Sequence, residues 1–196
     1  MALDGTRTHL SDLSTAAYWN DVYTGRDKAK VAKQRGGHES ARFEEVLRVL
    51  EGPAVLDVAS GYAGFPKFVK TRMPKIQVTA MDFSREAQVR SQWTPYVVGD
   101  ACLAMPFLDK QFNTVVCCQG LGYMASPAGF LTQARRVGRK LILTVGDRDR
   151  TNEDKHTWEF TSESLSALLG QFGKIEMLYP MSSPLIFAKV DMGDSL

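Results

Sequence analysis

Three aspartates, each at or near the end of a short apolar run, are the side chains in this sequence best suited to hold a small polar ligand. Asp57 stands in Val55-Leu56-Asp57-Val58, just ahead of the small-residue turn Ala59-Ser60-Gly61-Tyr62-Ala63-Gly64. Asp82 follows the run Ile76–Met81 and precedes Phe83, and Asp100 follows Pro95–Val98 and Gly99 and precedes Ala101. An aspartate at a turn is commonly no more than a cap. Three in order at the ends of successive apolar runs form a set. Asp82 lies 21 residues after Gly61, the separation at which an acidic residue accepts hydrogen bonds from both ribose hydroxyls of a nucleoside. Asp100 offers a carboxylate acceptor for an exocyclic amine, and Ala101 a backbone N–H for a ring nitrogen. The fourth run closes with Cys118-Gln119-Gly120, which adds Gln119 and Gly120 to the same candidate wall.

The segments that must position these residues alternate in character. Apolar β-rich runs are expected as strands over Ala54–Val58, Ile76–Met81, Pro95–Val98, Asn113–Cys118 and Lys140–Val145. Helical stretches fall before and between them, at 11–24, 38–50, Phe65–Thr71, Arg85–Ser91 and 128–136. In 38–50, Phe43, Val46, Leu47 and Leu50 share one face, and Gly52-Pro53 is expected to stop the helix. Ser84 reads as a helix N-cap, and Ser126-Pro127 pairs a cap with proline at the first helical position. A β-α-β-α rhythm whose strands are continuous apolar runs implies an α/β fold with a mainly parallel sheet covered on both faces. The end departs from it. Thr161 caps a helix expected to run to about Phe172, and then KIEMLYPM and PLIFAKV follow one another with only a short link, so they must pair antiparallel.

Composition narrows the class. In 196 residues, 44% hydrophobic and 23% charged, the chain suits one soluble domain over 1–196 with a core at 37–196. Its longest apolar runs, TVVCC and LILTV, are too short to span a bilayer, so no membrane association is expected. Three cysteines, two of them adjacent, make a poor disulfide framework and fit a reducing cytoplasm. The three histidines form no spaced metal set. A net charge of +2 gives no global case for nucleic acid, although Arg26, Lys28, Lys30, Lys33 and Arg35 against Asp27 concentrate cations in one strip. That strip reads as a solvated connector or as part of a lid segment at 1–36.

The ordered series resembles the class I S-adenosylmethionine-dependent methyltransferases. Their first signature, two apolar residues, an acid, an apolar residue and Gly-x-Gly-x-Gly, is matched by Val55 to Ala63 with alanine at the first and third glycine positions. The resemblance continues through Asp82, through Gly99-Asp100-Ala101 with Met105-Pro106-Phe107, and through the terminal hairpin. Tyr18-Trp19-Asn20-Asp21 looks like the helix that covers the cofactor in such enzymes. It implies a Rossmann-like three-layer sandwich with a seven-stranded, mainly parallel sheet. It also implies S-adenosyl-L-methionine as cofactor, held by Asp57, Ala59, Ser60, Gly61, Tyr62, Asp82, Phe83, Asp100, Ala101, Gln119, Gly120, Tyr18 and Trp19. Aromatic rings near the sulfonium, with Tyr18, Trp19 and Tyr62 as candidates, would add about 0.5–2 kcal/mol of cation–π attraction.

Departures from the family pattern carry expectations of their own. Ala59 and Ala63 should either avoid positive φ or accept its cost, and Gly61 should tolerate a side chain least. Asn113 stands where the family often has aspartate and is not expected to touch the cofactor. Ala59, Gly61 and Gly64 also make a partial match to the dinucleotide fingerprint Gly-x-Gly-x-x-Gly, which keeps a dehydrogenase as the alternative on the same fold. For the acceptor, no motif of amino-methylating DNA enzymes follows the fourth strand, and Cys117 and Cys118 read as core thiols. A small-molecule oxygen or nitrogen acceptor is expected, with nucleic acid and a non-catalytic binding role as alternatives. His156, in Lys155-His156-Thr157-Trp158, is the candidate base, since imidazole titrates near neutrality, and Tyr123 could line the same pocket.

Overall fold

The computed structural model describes residues 6–7, 15–24, 38–89, 91, 94–150 and 156–193. The basic strip at 26–35, Asp154-Lys155 and the start of the first expected helix, 11–14, lie outside the described residues. The strands are β1 (Thr6–Arg7), β2 (Ala54–Val58), β3 (Gln77–Asp82), β4 (Tyr96–Val98), β5 (Phe112–Cys118), β6 (Gly138–Gly146), β7 (Trp158–Glu159), β8 (Lys174–Pro180) and β9 (Leu185–Asp191). Among the described residues the helices are α1 (Ala16–Thr24), α2 (His38–Arg48), α3 (Gly64–Arg72), α4 (Arg85–Val89), α5 (Pro127–Val137) and α6 (Ser162–Leu169), with a 3-10 turn at Leu121–Tyr123.

Seven strands form one sheet in the order β4-β3-β2-β5-β6-β9-β8. β2 pairs in parallel with both β3 and β5, and β9 runs antiparallel to both β6 and β8. The sheet therefore has the expected α/β architecture, with the antiparallel hairpin at its end. Strand residues alternate between two cores, as the period of a pleated strand requires. Leu56, Val115, Leu141 and Leu143 pack with Phe130, Leu131, Ala134 of α5 and Leu165, Leu169 of α6. Val55, Val116 and Ile142 face the other way, toward Phe43 and Val46 of α2 and Phe65 and Val69 of α3. All seven of these strand side chains are fully buried, which is why the runs read as unbroken apolar stretches rather than as alternating ones.

The caps read from sequence are formed. Ser126 Oγ accepts from Gly129 N at 3.0 Å with Pro127 opening α5. Thr161 Oγ1 accepts from Ser164 N while the Ser164 hydroxyl accepts from Thr161 N, a reciprocal box at the start of α6. Ser84 Oγ accepts from Ala87 N at 3.3 Å in α4. Two helix ends differ from expectation: α2 stops at Arg48, ahead of Gly52-Pro53, and α6 stops at Leu169, where Gly170 takes the C-cap position. Asn113 has a structural task, its Oδ1 accepting from Ala54 N at 3.0 Å and so tying the start of β5 to the start of β2. The two-stranded pairing of β1 with β7 was not expected. Among the described residues no helix is long and apolar enough to cross a membrane.

Candidate functional site

Strand order reverses between β2 and β5. From β2 the chain proceeds outward through β3 and β4, and then returns to the other side of β2 for β5 and β6. The crevice beyond the carboxyl ends of the strands at such a point is where open α/β sheets hold ligands. The turn after β2 forms one wall. Ser60 N donates to Met81 O at 3.1 Å, and Ala63 N donates to Ser60 O at 2.9 Å, so the turn is lashed to β3 and closed on itself. Gly61 N donates to Asp82 Oδ2 at 2.9 Å. The 21-residue spacing in the sequence thus becomes a direct contact between the glycine turn and the acid at the end of β3.

Backbone strain gathers here. Ala59 (φ 56°), Ala63 (φ 55°) and Gln119 (φ 60°) are left-handed, as is Gly61 (φ 53°). Of the two expectations for the alanines, acceptance of a positive φ is the one the structure shows. Each costs about 1–2 kcal/mol in a residue with a Cβ, and such strain persists where the surroundings over-determine it. The two loops that carry it meet, since a Cβ on Gly120 would fall 2.5 Å from the Cβ of Ala59 and 2.8 Å from Cys117 Sγ. A Cβ on Gly61 would fall 2.7 Å from the Tyr23 hydroxyl, so its surroundings, more than a φ that Ala59 and Ala63 share, favour glycine.

The carboxylates sit in different environments. Asp57 is 2% exposed and accepts from the Ser60 hydroxyl at 2.5 Å. Burial pushes its carboxyl up to about 7, with the Ser60 bond opposing and the nearby Asp82 reinforcing. Asp82 is 5% exposed; Gly61 N reaches Oδ2 and Ser84 N reaches Oδ1, both at 2.9 Å. Burial raises its pKa, and these backbone donors pull against that shift. Asp100 is half-buried, its Oδ1 accepting from Cys102 N at 2.8 Å, with Ala101 in the same turn.

Aromatic rings connect the turn after β2 to α1 and to the 3-10 turn. Tyr62 of the turn meets Tyr23 of α1 edge to face at 4.7 Å and donates its hydroxyl to Tyr23 O at 3.0 Å. Trp19 contacts Tyr18 and Tyr23, and its ring lies 5.1 Å from that of Tyr123 in the 3-10 turn. Tyr123 in turn lies 4.7 Å from the His156 imidazole. His156 is seated between two glycines, for a Cβ on Gly122 would come within 2.9 Å of its Cδ2 and one on Gly146 within 3.3 Å of its Cε1. The fold therefore links Tyr62, through Tyr23, to Trp19, Tyr123 and His156 in one row, with Tyr18 against Trp19. Cys117 is buried, with its thiol pushed up by desolvation, and Cys118 is half-buried.

Several contributors were not singled out from sequence. Tyr96, at the start of β4, donates its hydroxyl to Gly61 O at 2.7 Å and braces the turn from the far side of Asp82. No local signal marks it, because the contact depends on the register that sets Ala80 beside Tyr96. Tyr23 was findable, since it lies four residues after Trp19 and so shares its helix face. Asn20 was part of the covering-helix motif, but its contact is visible only in three dimensions: Oδ1 accepts from Ser84 Oγ at 2.7 Å.

The methyltransferase-domain family matches residues 56–141. Demethylmenaquinone methyltransferase of Thermotoga maritima is 28% identical over 112 residues, which cover 53% of this chain and 48% of that protein. The chain thus aligns with about half the length of this curated relative. Among solved structures, a methyltransferase in complex with the Haloferax volcanii Trm112 activator superposes with a TM-score of 0.74 at 13% identity, covering 89% of this chain and 97% of that one. An Aquifex aeolicus SAM-dependent methyltransferase superposes with a TM-score of 0.72 at 14% identity, covering 85% and 99%. The site fits an adenosyl group: each Asp82 oxygen that accepts a backbone N–H retains a lone pair for a ribose hydroxyl. Residues 56–141 thus match the methyltransferase-domain family, and the chain takes the fold of class I S-adenosylmethionine-dependent methyltransferases, with S-adenosylmethionine the cofactor that this match implies.

Proposed function

We propose that this protein transfers a methyl group from S-adenosylmethionine to an oxygen or nitrogen atom of a small-molecule acceptor. The observation that carries the reading is the Gly61–Asp82 contact at the switch point, which joins the turn and the candidate ribose acid in one wall. In this reading Asp82 accepts from the ribose hydroxyls, Asp100 and Ala101 meet the adenine edge, and Ala59, Ser60 and Gly120 bound the amino-acid end. Bound there, the cofactor supplies an activated methyl on its sulfonium. The residues of the chain then orient and shield. Trp19, Tyr62 and Tyr123 exclude water, and the acceptor must be held in line with the methyl. His156, at the acceptor end of the aromatic row, takes the proton that an acceptor hydroxyl or amine gives up. The name of the Thermotoga maritima relative, with demethylmenaquinone as its acceptor, supports a small molecule over a nucleic acid.

Transfer of labelled methyl from S-adenosylmethionine to a panel of small hydroxyl and amine compounds tests this reading. Labelling of a small acceptor is expected, with turnover falling about a hundredfold or more in His156→Ala. Label found only in nucleic acid, with the transfer falling steeply as salt rises, contradicts the choice of acceptor. Unaltered turnover in His156→Ala removes the base.

A further inference from the structure

α1 is nine residues long and has Val22 and Tyr23 as its buried residues. A helix this short is marginal on its own, so its position is set by tertiary contacts. Two of its neighbouring residues point to opposite ends of the crevice. Asn20 Oδ1 accepts from Ser84 Oγ at 2.7 Å and lies 3.5 Å from Glu86 N. The Glu86 N–H can only donate, so it sets the Asn20 oxygen toward this pair, and the Ser84 hydroxyl donates to the same oxygen. Ser84 is itself bound to Asp82, its N–H donating to Oδ1 at 2.9 Å. Trp19, the preceding residue, packs its ring against Tyr123, which packs against His156. The chain of contact Asp82, Ser84, Asn20, Trp19, Tyr123, His156 is unbroken, and α1 is its middle link.

We propose that Asn20 is a positioning residue. It anchors α1 to the segment that begins at Asp82, so that a ribose held by Asp82 stiffens the α1 seat and fixes Trp19 against Tyr123 and His156. Cofactor occupancy on one side of the crevice thereby sets the geometry of the candidate base on the other. This inference rests on the methyltransferase reading above. Asn20 touches neither cofactor nor acceptor in it and acts through Ser84 and Trp19. Coupling of this kind requires that the ligand favour one position of an element over another; α1, held by the Asn20 amide to the ligand's own strand end and by Tyr23 to the turn after β2, links both walls of the candidate site.

The test uses the full chain and S-adenosylhomocysteine. Asn20→Leu keeps the side-chain size and removes the acceptor, and Ser84→Ala removes the donor. By calorimetry each should weaken S-adenosylhomocysteine binding by about three- to tenfold, the worth of one such hydrogen bond. The double variant should lose less than the product of the two single losses, because both break the Asn20–Ser84 contact, while Ser84→Ala alone also removes the cap of α4. The second readout is the His156 Cε1–H proton resonance, assigned by its loss in His156→Gln. S-Adenosylhomocysteine should shift it in the wild type and leave it unmoved in Asn20→Leu at saturation. A purely structural role would lower the ligand-free melting temperature but leave both the affinity and the resonance shift intact, and that result overturns the proposal. So does a multiplicative loss in the double variant. No binding of S-adenosylhomocysteine by the wild type is a distinct outcome, which removes the methyltransferase reading and this proposal with it.

Discussion

At the residue scale, the turn after β2 explains why one glycine is indispensable and two alanines are tolerated. Gly61 combines a φ of 53° with the Tyr23 hydroxyl 2.7 Å from any Cβ. Gly61→Ala is expected to cost about 1–2 kcal/mol in urea melts and to displace Tyr23, weakening S-adenosylhomocysteine binding in calorimetry. Ala59→Gly relieves a φ of 56° and is expected to add about 0.5–1 kcal/mol without loss of binding. A destabilised Ala59→Gly variant would show that its methyl group, against Gly120, matters more than its backbone. Asp57 carries a pH dependence. Burial raises its carboxyl to about 7, whereas in the unfolded chain it titrates near 4. Between those values the folded state holds a proton that the unfolded chain has released. The stability this group contributes is therefore full below about pH 4 and is lost as pH rises through about 7. Asp57→Asn should remove that slope from the urea stability measured between pH 4 and 8, and parallel profiles for variant and wild type would contradict the shift. The spacing of Asp82 and Asp100 was legible in the sequence because strand ends and acids repeat together. Tyr96 was not, since a hydroxyl that reaches Gly61 across 35 residues leaves no local mark.

At the scale of elements, caps and continuous apolar runs made the main strands and helices readable. Thr161 and Ser126 could be assigned because their side chains satisfy amides a fixed number of residues away, a purely local condition. Thr161→Ala is expected to cost about 1 kcal/mol by breaking the reciprocal contact with Ser164, as thermal or urea unfolding would measure; a loss near zero would mean that Ser164 alone sustains the turn. Elements whose existence depends on distant partners were not readable. β1 and β7 are two residues each and exist through their pairing, Thr6 with Glu159 and Arg7 with Trp158. The ends of α2 and α6 were placed a few residues late because Gly52-Pro53 and the apolar Phe172 stand out more in the sequence than the last helical hydrogen bonds do. Helix α1 could be expected from its aromatic residues, but the direction in which Asn20 and Trp19 point, to Ser84 and to Tyr123, follows only from its seat in the fold.

At the scale of the molecule, one topological feature organises the rest. Reversal of strand order at β2 and β5 opens the crevice, and the strained loops, the buried acids and the aromatic row all converge on it. The methyltransferase and dehydrogenase alternatives share this feature and differ in what fills it, so ligand linkage separates them. A ligand at about 100 times its dissociation constant stabilises the folded state by about 2.7 kcal/mol. The most direct measurement is the unfolding free energy of the wild type and of Asp82→Ala with S-adenosylhomocysteine or with NADPH. Stabilisation of the wild type by S-adenosylhomocysteine alone, and its loss in Asp82→Ala, is the predicted result. Stabilisation by NADPH alone, or an undiminished response to S-adenosylhomocysteine in Asp82→Ala, would contradict an adenosyl pocket built on Gly61 and Asp82.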